Sequence, residues 1–360
     1  MAIKSAQWMA ALADETPLTA VAIPGSHEAC SYEIAGVVEQ IEKSKWKPLL
    51  STAKSLAPDK SLSAAEYVAQ IIGLTQSLTL KQQLEAGVRF FDLNPYFSGG
   101  KNPPIYNGIV RTKFTLDDVL KELTSFLKSN GSEYIVLRLK AANDSYTQAK
   151  RAQALQECLT PYKDSLLQRP ETELVPVSAA RGKIVLITQD VAPLEAPFHA
   201  QDWDDVSVQE LPEINAEENF ISSIAEGVCS VGTKPIRALL SYFGKETGNW
   251  CSGVGKHVPK IFVPDKVFDE KRLAIKNHHL KSIGRSGDGL AQFSINFISC
   301  TGSGSDILFL SPQVCSGKFN PGIKDLIANN GNGEKTGIVV MDFITAGLAR
   351  TIYSSNKLTG

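Results

Sequence analysis

The sequence has no long apolar run: nowhere in its 360 residues does it approach the roughly 20 consecutive apolar side chains that cross a bilayer. Its first stretch, MAIKSAQWMAALADETPL, lacks an apolar h-region and a small-residue cleavage site. No secretory signal is therefore expected, and the expected setting is the cytoplasm or export by a route without a signal peptide. Cysteine is sparse and scattered. Cys30, Cys158, Cys229, Cys251, Cys300 and Cys315 contain no C-x-x-C pair, which excludes a zinc knuckle and a dense disulfide framework and predicts reduced thiols. An excess of either charge is also missing. With 37 basic and 38 acidic side chains the net charge is −1, so no global field draws the chain to nucleic acid or to an anionic membrane. There is no Walker motif, no G-x-G-x-x-G fingerprint and no G-x-S-x-G elbow, so a nucleotide enzyme and a serine hydrolase both fit poorly.

The sequence is rich instead in alternating strand and helix signals. Leu18 to Pro24 reads as a short buried strand. Residues 79 to 86 read as a helix, with Thr79 as N-cap, Gln82 three residues on and Gly87 as the stop. Val88 to Leu93 and residues 104 to 108 read as strands. Thr115 caps a second helix with Asp118 at its third position, and Leu116, Val119, Leu120, Leu123, Phe126 and Leu127 keep helical spacing up to Asn130-Gly131. Tyr134 to Leu139, Ile184 to Thr188, 291 to 299 and 337 to 344 follow as strands, with a helix over 147 to 160. Asn329-Asn-Gly-Asn-Gly-Glu reads as a flexible loop. No internal repeat divides the chain, and one domain over 1–360 is expected, with insertions around 30–75 and 190–290. The alternation predicts an α/β fold with a parallel sheet covered on both faces.

Polar residues gather at the C-terminal ends of the predicted strands: His27, Asp92, Asn107, Lys140 and Asp342. In a closed parallel barrel that is the face that carries chemistry. The stretch AIPGSHEAC, residues 22–30, ends an apolar approach on Pro24-Gly25 and sets His27 beside Glu28. A general base is one reading of it; a structural histidine at a helix start is the other.

Five blocks occur in order: Ile23-Pro-Gly-Ser-His27; Gly87-Val-Arg-Phe-Phe-Asp92; Tyr106-Asn107-Gly108 with Phe114-Thr-Leu; Arg181-Gly-Lys-Ile-Val-Leu; and Gly337-Ile-Val-Val-Met-Asp342-Phe. Together they resemble the catalytic X domain of phosphatidylinositol-specific phospholipase C, in the style of its bacterial and fungal single-domain forms. The resemblance implies a distorted TIM-type (β/α)8 barrel. It also implies phosphodiester cleavage through a cyclic inositol phosphate. In the family one histidine takes the proton of the inositol 2-hydroxyl, a second protonates the leaving oxygen, and an arginine or a calcium ion balances the phosphate charge.

On that resemblance His27 matches the base, Asp342 the acid that orients it, and Asp92 the acid at the end of the second strand. Glu28 takes a position that is Asp or Asn in the family. Two positions depart from the pattern. Asn107 stands where the second histidine is expected, and an amide cannot protonate an alkoxide. Asn94 stands where metal-independent forms carry arginine. Glu28, Asp92 and Asn94 also match three of the calcium positions, so calcium or magnesium is the candidate cofactor, while Lys140 at the fourth matches the metal-independent forms. Asn94, Asn107, Lys140 and Arg111 are the candidate substrate contacts, with Arg111 and Lys113 able to restore phosphate-binding charge.

Three further features stand apart. Arg181 is expected to pair with a carboxylate near the barrel mouth. Lys43-Ser-Lys-Trp46-Lys reads as a surface helix or as a segment that touches a membrane. His278-His279 is placed in an exposed loop. The expected function is thus a phospholipase C-like phosphodiesterase with altered or weakened activity. The expected partners are an inositol-phosphate-like phosphodiester and, peripherally, a membrane surface. The alternative is a pseudoenzyme that binds an inositol phosphate, a glycan or a protein in the barrel mouth.

Overall fold

The computed structural model describes residues 3–37, 64–99, 101–142, 144–168, 174–194, 268–302, 310–328 and 335–358. The Lys43–Trp46 segment, the Asn329 loop, Asn143, Cys229, Cys251 and the larger part of the 190–290 insertion lie outside the described residues. The strands are β1 (Ile23–Ser26), β2 (Ile34–Val37), β3 (Phe90–Pro95), β4 (Pro104–Asn107), β5 (Val110–Thr115), β6 (Ile135–Lys140), β7 (Ile184–Gln189), β8 (Ile295–Phe297) and β9 (Ile338–Met341). Six of them form a parallel run in the order β7-β6-β3-β1-β9-β8. From the C-terminal end of β3 an antiparallel flap extends through β4 and β5 to β2. The first predicted strand shifts forward: Leu18–Ala20 is a 3-10 turn and the strand runs from Ile23 to Ser26.

The helices follow their caps. α1 is Ala64–Gly73, α2 is Leu80–Ala86 and α3 is Leu116–Ser129. Thr79 with Gln82 and Thr115 with Asp118 form full capping boxes at the starts of α2 and α3. Gly87 ends α2 at φ 102°, where a Cβ would stand 2.9 Å from the Tyr353 ring, so only glycine turns the chain there.

Period-two alternation sorts each strand between two cores. Outward residues such as Phe91, Leu93, Leu137, Leu139, Leu186 and Met341 pack with the helices. Inward residues start apolar, with Ile23, Phe90, Val136, Val185, Ile187 and Val340 in one cluster with Trp8 and Phe297. One pleat further along, the inward positions turn polar: His27, Asp92, Arg138, Gln189 and Asp342. Gly25 makes this interior tight, since a Cβ there would meet Phe90 Cδ1 at 2.9 Å.

The sheet curls. In a flat sheet β6 and β8 would stand four strand spacings apart, about 19 Å. Instead the Arg138 guanidinium of β6 lies 5.5 Å from the Phe297 ring of β8. The polar inward positions therefore converge at one mouth.

Candidate active site

β1 hands His27 to the mouth, and the backbone is pinned where it leaves the sheet. His27 N–H donates to Met341 O at 3.1 Å, which locks the turn after β1 to the end of β9. The residues that follow the two key side chains, Glu28 after His27 and Phe343 after Asp342, both take left-handed backbone, at φ 45° and 49°. Such conformations cost non-glycine residues energy and persist where surrounding contacts over-determine them. Gln76 supplies those contacts. Its amide donates to His27 O at 2.8 Å and to Met341 O at 2.9 Å, and its carbonyl accepts from Ile344 N at 3.2 Å. Thr75 Oγ1 adds donations to His27 O and Glu28 O.

His27 Nδ1 is 2.7 Å from Asp342 Oδ1, and His27 Nε2 is 3.9 Å from Asp92 Oδ2. The imidazole and Phe297 ring centroids lie 5.9 Å apart in a T-shaped contact, and the side chain is 18% exposed. Burial alone would lower its pKa. The charge and hydrogen bond of Asp342, with Glu28 and Asp92 behind them, outweigh burial and raise it from 6.5 to about 9. Glu28 is buried, and burial together with the charge of Asp92 pushes its carboxyl up to about 8. At neutral pH the resting site therefore holds an imidazolium on Asp342 beside a neutral Glu28.

Arg138 is the group that sequence reading missed. Its Nη1 donates to Asp92 Oδ1 at 2.6 Å and its Nη2 to Gln189 Oε1, in a fully buried setting. The signal was present: a charged residue inside the apolar run Ile135-Val-Leu-Arg-Leu-Lys has to face something polar in a strand buried on both sides. Gln76 carried no such mark, because a glutamine between elements reads as solvent-facing. Lys271, on a helix over Asp269–Ile283, approaches from behind the mouth; its ammonium donates to Phe297 O at 2.6 Å. Burial lowers it to about 8, although Asp342 is among the groups that oppose the shift.

The other predicted residues divide. Asn94 is next to the acids, and its amide donates to Glu28 Oε1 at 2.5 Å. Lys140 stands two residues beyond Arg138 on the same face of β6, partly buried at the rim. Asn107 ends the antiparallel strand β4, one residue past Tyr106, which pairs with Asn94 of β3; its amide donates to Gly73 O at 3.1 Å. Arg111 is exposed on β5, opposite Tyr106. Arg181 is not at the mouth. It precedes β7, at the opposite end of the barrel, and there it binds Asp14 and the carbonyls of Met9, Leu12 and Ser132. His278 and His279 lie on the Asp269–Ile283 helix, with His279 buried; the apolar spacing there is too weak to read as a helix from sequence.

The candidate metal set does not fit a calcium or magnesium ion. Asp92 already carries the Arg138 guanidinium, and Glu28 takes the donor end of the Asn94 amide. Of this set, Glu28 Oε2 and Asn94 Oδ1 are left without hydrogen-bond partners, two oxygens where a cation needs several more. Calcium takes six to eight oxygens, and magnesium a near-ideal octahedron. Among the described residues no group of three or more His, Cys, Asp or Glu forms a metal cluster.

Residues 60–190 match the sequence model described as phosphatidylinositol-specific phospholipase C, X domain. A 1-phosphatidylinositol phosphodiesterase from Listeria monocytogenes is 31% identical over 195 residues, which cover 52% of this chain and 50% of that protein. The human PI-PLC X domain-containing protein 2 is 36% identical over 140 residues, 37% of this chain and 42% of its own. The chain thus spans about half the length, or less, of these relatives. In structure, the likeness extends further. The phosphatidylinositol-specific phospholipase C from Listeria monocytogenes superposes with a TM-score of 0.65 at 22% identity, over 99% of this chain and 100% of that one. The curled parallel sheet is accordingly a distorted TIM-type barrel, and residues 60–190 are similar to the X domain of phosphatidylinositol-specific phospholipase C.

Proposed function

We propose that the barrel mouth binds an inositol phosphodiester and cleaves it with His27 as base, in a site altered on its leaving-group side. The observation that carries this reading is the 2.7 Å bond from His27 Nδ1 to Asp342 Oδ1, which leaves Nε2 as the ring atom free of that bond and directed toward the acid-lined mouth. A base held by an orienting carboxylate is the recurrent arrangement for proton abstraction. His27 would take the proton of a ring hydroxyl as that oxygen attacks phosphorus. The bond from phosphorus to the leaving oxygen then breaks, and a cyclic phosphate remains. The leaving oxygen needs a proton unless it is already a stable anion. Asn107 cannot give one, and its amide is engaged with Gly73 O. The site therefore suits a diester with a good leaving group better than a lipid alkoxide. Supply of a general acid is typically worth about 10²–10⁴-fold.

The relatives support the substrate class: the Listeria protein is a phosphodiesterase of 1-phosphatidylinositol. A structural relative from Staphylococcus aureus is described by its membrane binding, which supports a peripheral lipid contact here. No helix among the described residues is long and apolar enough to cross a membrane.

The test compares an aryl inositol phosphodiester with phosphatidylinositol vesicles, following cyclic inositol phosphate by phosphorus NMR. Wild type is expected to cleave the aryl diester faster, to lose that activity in His27→Ala, and to gain on the lipid alone in Asn107→His. Inactivity of both wild type and Asn107→His on both substrates would sink the catalytic reading. Binding of inositol phosphate without turnover would then favour the pseudoenzyme, for which the engaged Asn107 amide is the supporting observation.

A further inference from the structure

A phosphodiester is an anion, and the mouth described above sets Asp92 and Asp342, with the neutral Glu28 beside them, around a single histidine. Such a lining repels phosphate unless cations outweigh it. Position 94, where a guanidinium would serve, holds an asparagine, and the oxygen set does not fit a metal ion. Yet the barrel interior does contain a permanently charged group. Arg138 projects inward from β6 in register with Asp92 of β3. It is fixed on three sides, by Asp92 Oδ1 at 2.6 Å, by Gln189 and by the Phe297 ring at 5.5 Å. Phe297 in turn contacts His27, so the guanidinium lies within one ring of the base. Its field extends past its own partner, since Glu28 also feels its charge. Lys140 continues the same face one pleat nearer the rim.

We propose that Arg138 is the cation this site uses in place of the one absent at position 94, holding Asp92 beside His27 and giving the mouth the positive charge on which the phosphate of an inositol phosphodiester binds. The inference rests on the phosphodiester reading above. Arg138 acts in it as a positioning residue, through its charge and through Asp92. The guanidinium is suited to the task. It is always protonated, it is more weakly hydrated than an ammonium, and its fork holds a carboxylate and a second acceptor at once. A buried charge is also little screened by salt.

Calorimetric binding to the full chain tests it, with inositol 1-phosphate as the anionic probe and myo-inositol as the neutral one. In Arg138→Gln, affinity for inositol 1-phosphate is expected to fall about ten- to fiftyfold, as loss of a unit charge several ångströms away implies, with myo-inositol unchanged. Adding Asn94→Arg to that variant should restore most of the loss, while Asn94→Arg alone gains much less, because the two positions supply one charge. Arg138→Lys keeps the buried charge but gives up the fork, and it should bind the anion more tightly than Arg138→Gln while falling short of wild type. A loss in folded Arg138→Lys as large as in Arg138→Gln, or an equal effect of Arg138→Gln on both probes, would overturn the proposal and leave the phosphodiester reading standing. Wild type that binds neither probe and cleaves neither diester would remove both.

Discussion

At the scale of single residues, the raised pKa of His27 has a direct kinetic consequence for the proposed cleavage. A base must be unprotonated, and His27 keeps its proton up to about pH 9. Cleavage measured as kcat/KM should therefore climb with pH through the neutral range and level off near 9. In Asp342→Asn the largest raising influence is gone, so the rise should move to lower pH even as the plateau falls. A pH–rate profile that is already flat above pH 7 in the wild type would contradict the geometry. The same residues show what sequence can reveal. His27, Asp92 and Asp342 were legible because their types and their places at strand ends both point to chemistry. Arg138 was hidden by its neighbours: only the parallel register shows that it faces Asp92. Asn107 was legible as the end of a strand, while the pattern of strand residues does not reveal that β4 runs antiparallel.

At the scale of elements, the site is a junction of two strand ends held by one side chain. Gln76 joins the exits of β1 and β9 through His27 O and Met341 O. Gln76→Leu would leave those carbonyls buried and unsatisfied, at about 2–4 kcal/mol of stability. It should also slow cleavage roughly 10–100-fold, since small displacements of a base are costly. Urea unfolding together with turnover checks this, and a variant as unstable as expected but fully active would show that the left-handed turns hold themselves. Helix boundaries were the most readable part of the fold. Thr79 and Thr115 announce α2 and α3 by local hydrogen bonding alone. Strand β1 was misplaced by a few residues, because Leu18–Val21 is as apolar as a strand while its packing makes it a turn.

At the scale of the whole molecule, the two ends of the barrel have different tasks. The end away from the mouth is closed by a buried ion pair. Arg89 Nη2 lies 2.8 Å from Glu133 Oε2, both side chains are fully buried, and Glu133 also accepts from Met9 N. Removing one partner of such a pair typically costs about 3–5 kcal/mol. Glu133→Gln should therefore lower unfolding stability by that order while the pH–rate profile of the folded fraction keeps its shape; a displaced profile would tie the two ends together. The parallel class of the sheet was readable from alternation, but its curl was not, because curvature depends on which strands meet and not on what each contains.

That meeting has a consequence for how the protein comes into being. His27 and Asp342 are 315 residues apart, and β9 is the strand that settles against β1. A growing chain thus exposes one edge of β1 until β9 has been made, and an open edge invites pairing with a neighbouring chain. The imidazole has no orienting carboxylate during that interval. On the phosphodiester reading, His27 acquires the geometry of a base only when β9 settles against β1.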